Sequence, residues 1–510
     1  MRILHLFIII VTNLQLAYAN ELRYETSPYL QQHKNNPIDW YAYNDKTLKL
    51  AVDEDKPIFL SIGYSTCHWC HVMAEESFEN EELAKLFNRY FISIKVDKEE
   101  MPHLDSYYQT LHKINKNHPA GWPINIFMTP DKKVYYMSGY IPPKSKDGYL
   151  GFDKLLVKLS KSYKDKSFIV YKDNKKILHV DKKWDDFGLG FGEGAKFPEV
   201  SRIDKLLDNG DIRAYELLDV MGLKGLYDHV DGGFFRYTVD SAWEIPHFEK
   251  MLYNQAELIG LYTRAYLLSK KPLYKEIVQE TIAMSDRVFL KDGLYFSASD
   301  AVSDGEEGGY FIFSKKELED AKALKYGVLF NGKYHLNFEG DKRVKEFYNI
   351  RDKLKDIRSQ REYLFIDKKI NTAWNALMIE ALYEASQIDK TYTMKADEHL
   401  KKLTELMFEK GELYHQTLFG IKPKQKGFLE DYSFMISALL AGYKRTKDED
   451  KLGFANYLLS RAKYKFYRDG VWYASDDKLN IKASMESTHY TSPAVKMEQN
   501  ILDIAKFLHK

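Results

Sequence analysis

Two cysteines are all that the 510 residues contain, so a disulfide-stapled scaffold is excluded. Charge of either sign is not in excess: 75 Lys plus Arg stand against 74 Asp plus Glu, for a net +1. No overall field therefore draws the chain to nucleic acid or to an anionic membrane, and neither is expected as a partner. A 45% hydrophobic and 29% charged composition rules out disorder or collagen-like repetition as its main character and suits two or three packed domains. Aromatic residues are plentiful, with 38 Tyr, 29 Phe and 7 Trp, which fits a packed interior and stacking surfaces around a cleft.

The N-terminus reads as an address. Arg2 supplies a positive start, Ile3 to Val11 is apolar apart from His5, and Ala17-Tyr18-Ala19 fits a small-x-small cleavage site. Thr12, Asn13 and Gln15 interrupt the run well short of the roughly 20 apolar residues that a spanning helix needs. The expectation is a signal peptide over residues 1–19 and an exported, soluble protein, periplasmic or extracellular, with no stable membrane span.

Two kinds of pattern follow. Asn44 caps a helix through about Asp53, and Pro57 to Ile62 reads as a buried strand. A helix is expected from Cys70 to about Asn88, a strand over Phe91 to Val96, a helix near Leu104 to Ile114, a strand over Ile124 to Met128, a turn at Thr129-Pro130-Asp131-Lys132 and a last strand over Val134 to Met137. Lysine-rich Lys158 to Lys183 reads as a linker or edge element. Beyond Gly190 helical spacing dominates, as in Glu249 to Leu268, Ala373 to Ala385, His399 to Phe408 and Phe428 to Tyr443.

An echo ends several of these segments: Asp231-Gly232-Gly233-Phe234-Phe235, Asp292-Gly293-Leu294-Tyr295-Phe296, Gly411-Glu412-Leu413-Tyr414 and Asp469-Gly470-Val471-Trp472-Tyr473. The glycine-to-glycine steps are 61, 118 and 59 residues, a period suited to one helical hairpin plus a short extension. Chance recurrence of glycine after a helix is the alternative. A ring of such hairpins, the α/α barrel, would bury their apolar faces mutually, although six hairpins fit the remaining length only tightly. The fold class expected is therefore multidomain: an α/β domain over 20–165, a linker over 166–189 and an all-α α/α barrel over 190–510, shortened if the ring lacks a hairpin.

Cys67-His68-Trp69-Cys70 lies between a buried strand and a helix, which sets Cys67 beside unpaired backbone N–H groups that stabilise a thiolate. His68 and His71 add positive charge, and Cys70 is the resolving thiol one turn on. Trp122-Pro123 precedes the next strand, where a thioredoxin fold places a cis-proline against its sulfurs. Cys67, Cys70 and Pro123 are thus the catalytic candidates, with His68, Trp69, His71 and Trp122 tuning the pair. Three other readings stay open. Cys67 to His71 also spells the C-x-x-C-H haem signature, though the strand–helix clamp leaves no open haem pocket; a zinc site would lack a second cysteine pair; and the bridge could be structural. The expectation is a redox dithiol with no cofactor and no metal.

Several blocks resemble the long thioredoxin-domain proteins related to the spermatogenesis-associated thioredoxin-like family. They are Ser27-Pro28-Tyr29-Leu30-Gln31-Gln32-His33, Asn36-Pro37-Ile38-Asp39-Trp40-Tyr41, Ser61-Ile62-Gly63-Tyr64-Ser65-Thr66-Cys67-His68-Trp69-Cys70-His71, Ile94-Lys95-Val96-Asp97, Gly121-Trp122-Pro123-Ile124-Asn125 and Pro246-His247-Phe248-Glu249-Lys250-Met251-Leu252-Tyr253. The resemblance implies a thioredoxin-like domain joined to a six-hairpin barrel related to sugar epimerases and glycosidases. Departures from the family pattern fall in the barrel: Phe235 replaces a histidine, Asn254-Gln255 an Asp-Asn, Val302 the second acid of Asp-Ala-Asp, and Thr491-Ser492-Pro493-Ala494 a Pro-Ser-Gly-Asn. Retained are Trp243, His247, Glu249, Lys250, Asp300, Glu307, Trp374, Asn375 and Asp431.

As a carbohydrate-like cleft, these would offer Trp243 and Trp374 as stacking platforms and Asp300, Glu307 or His247 as acid and base. Alternatively His247, Glu249 and Lys250 form a buried polar network tying hairpins together. The expected function is an exported thiol-disulfide oxidoreductase, with protein thiols or disulfides as partners and a barrel that binds a partner or a carbohydrate-like ligand without turnover. A carbohydrate-active isomerase or hydrolase and a non-catalytic binding protein are the alternatives. Ser61 stands six residues before Cys67, where many thioredoxins carry a buried acid, so proton handling is expected to fall to Glu75, Glu76 or a histidine.

Overall fold

The computed structural model describes residues 20–118, 120–146, 148–173, 182–303, 305–338, 345–487 and 490–509. The expected signal segment, residues 1–19, and part of the lysine-rich stretch lie outside them.

The N-terminal unit is built on strands β1 (Trp40–Ala42), β2 (Ile58–Gly63), β3 (Ile92–Asp97), β4 (Ile124–Met128) and β5 (Val134–Ser138). Their order is β1-β3-β2-β4-β5, with β1, β3 and β2 parallel and β4 and β5 antiparallel. Every residue of β2, β3 and β4 is buried, which is why these strands read as continuous apolar runs rather than alternating ones. Cys67 caps α1 (His68–Met73), followed by α2 (Glu81–Tyr90), α3 (Pro102–Lys116) and α4 (Phe152–Lys164). Phe87 of α2 and Phe152 of α4 pack on Phe59 of β2, while Leu104, Tyr108 and Leu111 of α3 cover the opposite face with Leu60 and Ile62. This is the thioredoxin-like layer order.

Two expectations change here. The helix expected from Cys70 to Asn88 is broken, because Asn80 turns its side chain back onto the N–H groups of Glu82 and Leu83 and starts a new helix. Lys158–Lys164 is not linker: it is the end of α4, whose Leu155, Leu156 and Leu159 are buried while its lysines point outward.

The second unit contains α5 (Val200–Asp208), α6 (Arg213–Leu223), α7 (Leu252–Ser269), α8 (Pro272–Val288), α9 (Thr372–Ala385), α10 (Thr391–Met407), α11 (Leu429–Thr446), α12 (Glu449–Phe466) and α13 (Pro493–Leu508). Helices α7, α9, α11 and α13 pack successively into an inner row, and α8, α10 and α12 each back their inner partner. Nearly every residue of α9 is buried, as is every residue of α11 from Leu429 to Leu440, the mark of helices enclosed on all sides over those stretches. The described residues thus form an α/α barrel of four hairpins and a final helix.

The echo has a physical cause. After α8, α10 and α12 the chain makes a tight two-stranded turn through Asp292-Gly293, Lys410-Gly411 and Asp469-Gly470. Both turn residues have positive φ in each case, as a type I′ turn requires. Among the described residues, the double-length step from 293 to 411 holds one hairpin of the ring, α9 and α10, and no further one. The rest is an insertion of short strands with the helices Lys315–Asp320 and Lys345–Ser359, the latter's Arg358 reaching back to Asp228 and Asp231.

Candidate functional site

The thioredoxin-like unit sits on the loops that lead into the inner helices. Lys369, just ahead of α9, is 1% exposed and bonded to Asp97 at 2.5 Å, Glu99 at 2.9 Å and Asp367 at 3.1 Å. Ser27 donates to Asp97 and Ser65 to Asp367. Nearby, His415 meets the Glu99 carbonyl at 2.7 Å and Asp431 at 2.9 Å, and Gln416 donates to Glu100 at 2.7 Å. Burial of the carboxyl groups raises Glu99 to about 7 and Glu100 to about 8, each opposed by the Lys369 charge.

Cys67 and Cys70 are joined as a disulfide at this junction, each only 3% exposed. The Cys67 sulfur accepts the Cys70 backbone N–H at 3.3 Å. The β2–β4 register, Ile62 opposite Ile124, continues to bring Pro123 level with Gly63 just before the motif. The Trp122–Pro123 peptide is cis. Trp122 donates its indole N–H to Asp105 at 2.9 Å, and Trp69, 48% exposed, packs edge-on against Tyr140.

The histidines of the motif meet barrel carboxylates. His71 Nε2 lies 2.9 Å from Asp300, and His68 Nε2 lies 3.8 Å from Glu307. His247 bridges Glu307 through Nδ1 at 2.6 Å and Glu249 through Nε2 at 3.0 Å. Glu249 also accepts the Tyr64 hydroxyl at 2.8 Å and Arg236 at 3.2 Å. Burial opposes a charge on His247, yet its two carboxylates outweigh it and raise the imidazole to about 9. Burial likewise opposes the Glu249 charge, but His247 and Arg236 hold it at about 2. His71 is shifted upward, because Asp300 overcomes its desolvation, whereas desolvation carries His68 downward against Glu307. One imidazolium thus sits between two carboxylates, edge-on to His68 of the cysteine motif.

The structure divides the barrel residues expected in one cleft. His247, Glu249, Asp300 and Glu307 gather at the cysteine motif. Lys250 does not: it donates to Asp228 at 2.8 Å and to the Gly232 carbonyl, in a buried cluster completed by Arg358. Asn375 holds the Tyr295 backbone through both amide atoms, and Asp431 pairs with His415. Trp243 is no stacking platform, being 0% exposed with its indole N–H given to the Gly188 and Leu189 carbonyls. Trp374 is also buried, edge-on to Tyr253. Phe235, in the place of the family histidine, packs against Phe248 and Phe311.

Four contributors escape sequence reasoning. Tyr64 and Arg236 stand inside motifs that drew notice for their neighbours, whereas Asp367 and Lys369 belong to no pattern. Only the fold brings the last two to Asp97.

Comparison with known proteins gives this arrangement its relatives. A thioredoxin-type family profile, described as a protein of unknown function (DUF255), matches residues 19–180. Uncharacterized protein B0495.5 of Caenorhabditis elegans is 30% identical over 92% of this chain and 77% of its own. Spermatogenesis-associated protein 20 of Mus musculus is 29% identical over 90% of this chain and 72% of its own. The chain belongs to this spermatogenesis-associated thioredoxin-like family. Among solved structures, a sugar epimerase from a ruminal bacterium is 15% identical, covering 64% of this chain and 93% of its own, with a TM-score of 0.33. A family 76 α-mannanase of Bacteroides thetaiotaomicron is 15% identical, covering 61% and 66%, with a TM-score of 0.35.

Proposed function

We propose that this family member is a thiol-disulfide oxidoreductase whose barrel governs access to the dithiol. The observation that carries the reading is the Cys67–Cys70 bridge at a helix start, with charged groups of the barrel set around it. A substrate thiolate attacks Cys67; the S–S bond breaks, its electron pair leaves on Cys70, and a mixed disulfide forms. A second substrate thiol, deprotonated, then attacks its own sulfur in that mixed disulfide. Substrate leaves oxidised, and Cys67 and Cys70 remain as the dithiol after taking up the two protons. The reverse sequence reduces a substrate disulfide. Protein thiols or disulfides are the substrates in this reading.

Export belongs to the same proposal. Asn20, the first residue after the cleavage site read in the sequence, is 1% exposed and donates to the His33 carbonyl at 2.9 Å, so the folded unit is anchored from that residue onward. Alkylation mass spectrometry of the whole protein across a glutathione redox series is the test. A reversible two-electron transition confined to Cys67 and Cys70 is expected, and a pair that stays oxidised throughout the series would refute the reading.

A further inference from the structure

The glycine just ahead of the cysteine loop has an unusual neighbourhood. A Cβ built on Gly63 would lie 2.3 Å from the Tyr29 hydroxyl oxygen and 2.7 Å from Cys70 Sγ. Both distances are far inside van der Waals contact, so the space a side chain would fill is shared by that oxygen and that sulfur. The two distances bound the oxygen–sulfur separation by their sum. Tyr29 is 1% exposed, and its hydroxyl has no hydrogen-bond partner among the described residues. A buried hydroxyl without a partner is destabilising, so its retention calls for an explanation.

The disulfide supplies one. A bridged sulfur is a poor acceptor, whereas the thiolate released by opening the bridge is a strong one. On the side of Cys70 that faces Gly63 lies the Tyr29 hydroxyl. Behind the same ring lies Lys95 on β3, its Nζ 5.2 Å from the Tyr29 ring centroid and 3.2 Å from Ser61 Oγ. Among the described residues no carboxylate is paired with Lys95. Ser61 occupies the position where many thioredoxins carry an internal acid, and the hydroxyl on the Gly63 side of the resolving sulfur comes instead from Tyr29.

Resting on the redox reading above, we propose that Tyr29 donates a hydrogen bond to the Cys70 sulfur when the bridge opens, stabilising it as the leaving thiolate. The phenol keeps its proton: burial and the nearby Asp97 charge move its ionisation well above the ordinary tyrosine value. Tyr29 therefore lowers the barrier to bond breaking and needs no proton of its own to move. Gly63 is the residue that makes the approach possible, since any larger side chain would occupy the contact.

The test uses the full-length protein with Cys67→Ala, which leaves Cys70 as the sole thiol, with and without Tyr29→Phe. Iodoacetamide rate against pH reads the Cys70 ionisation directly. Tyr29→Phe should move the profile to higher pH and slow labelling at pH 7 about tenfold, as loss of one charge-assisted hydrogen bond implies. Superimposable profiles would overturn the proposal. In the oxidised protein, which has both cysteines, Tyr29→Phe should hold or raise the melting temperature, because it removes a buried hydroxyl that has no partner among the described residues; a clear drop would mean a structural role and overturn it too. A shifted profile in a protein that fails to exchange with glutathione refutes the redox reading and upholds the hydrogen bond, so the two failures are distinguishable.

Discussion

His247 is positioned to carry charge that the Cys67–Cys70 bridge will feel. Both ring nitrogens face carboxylates, so both carry hydrogen, and the imidazolium persists where a solvated histidine would be neutral. The sulfurs themselves are unequal. Cys67 receives the Cys70 backbone N–H, while Cys70 turns inward against Gly63 and Tyr29. In the reduced protein, limiting alkylator at neutral pH should therefore label Cys67 first, as mass spectrometry of the tryptic peptide would show; equal or preferential labelling of Cys70 counts against Cys67 as the attacking sulfur. Trp243 makes the opposite kind of prediction. With no exposed face and a donated indole N–H, its replacement by alanine should cost about 3–5 kcal/mol of stability in chemical denaturation. A near-neutral change would restore it as a candidate ligand platform.

At the scale of elements, what could be read in the chain follows from how local each cause is. The central strands are buried on both faces and announce themselves as apolar runs; the I′ turns after α8, α10 and α12 need particular residues and so repeat visibly. The insertion between α8 and α9 obeys neither rule, and its length, close to one repeat, imitates a hairpin. The candidate site was legible where a motif carries it, at Cys67, Cys70, His71, His247 and Glu249. It was hidden where it depends on docking: nothing in the spacing of Asp367 and Lys369 tells that Lys369 meets Asp97 or that Asp367 meets Ser65. That ion cluster gives a direct test of the junction. Lys369→Ala leaves Asp97, Glu99 and Asp367 buried without their cation, which should cost about 3–5 kcal/mol. The same variant should speed reduction of the bridge, as loss of absorbance or alkylation counting would record.

For the whole molecule, the junction makes stability depend on pH in one direction through the neutral range. His247 and His415, raised to about 9 from an ordinary 6.5, stabilise fully below 6.5 and lose that contribution as pH rises through 9. Glu99, Glu100 and, beside His415, Glu430 are raised to about 7, 8 and 7 from 4.5, and their contribution is full below 4.5 and lost as pH rises through those values. Glu249, held at about 2, stabilises above 4.5 and fails only as pH falls through 2. Melting temperature should thus be highest near pH 4.5–5 and decline toward pH 9, and a rising profile over that interval would contradict the ionic account of the junction.

The seal over the bridge also sets a clock. With both sulfurs 3% exposed beneath barrel loops, a reductant must wait for the units to part before it reaches Cys67. Reduction by a phosphine should then climb with concentration and level off at a ceiling equal to the parting rate, the same ceiling for small and bulky reagents alike. Any ligand that tightens the barrel against the thioredoxin-like unit would lower that ceiling without touching either cysteine, so the occupancy of one unit would be reported as the oxidation state of the other.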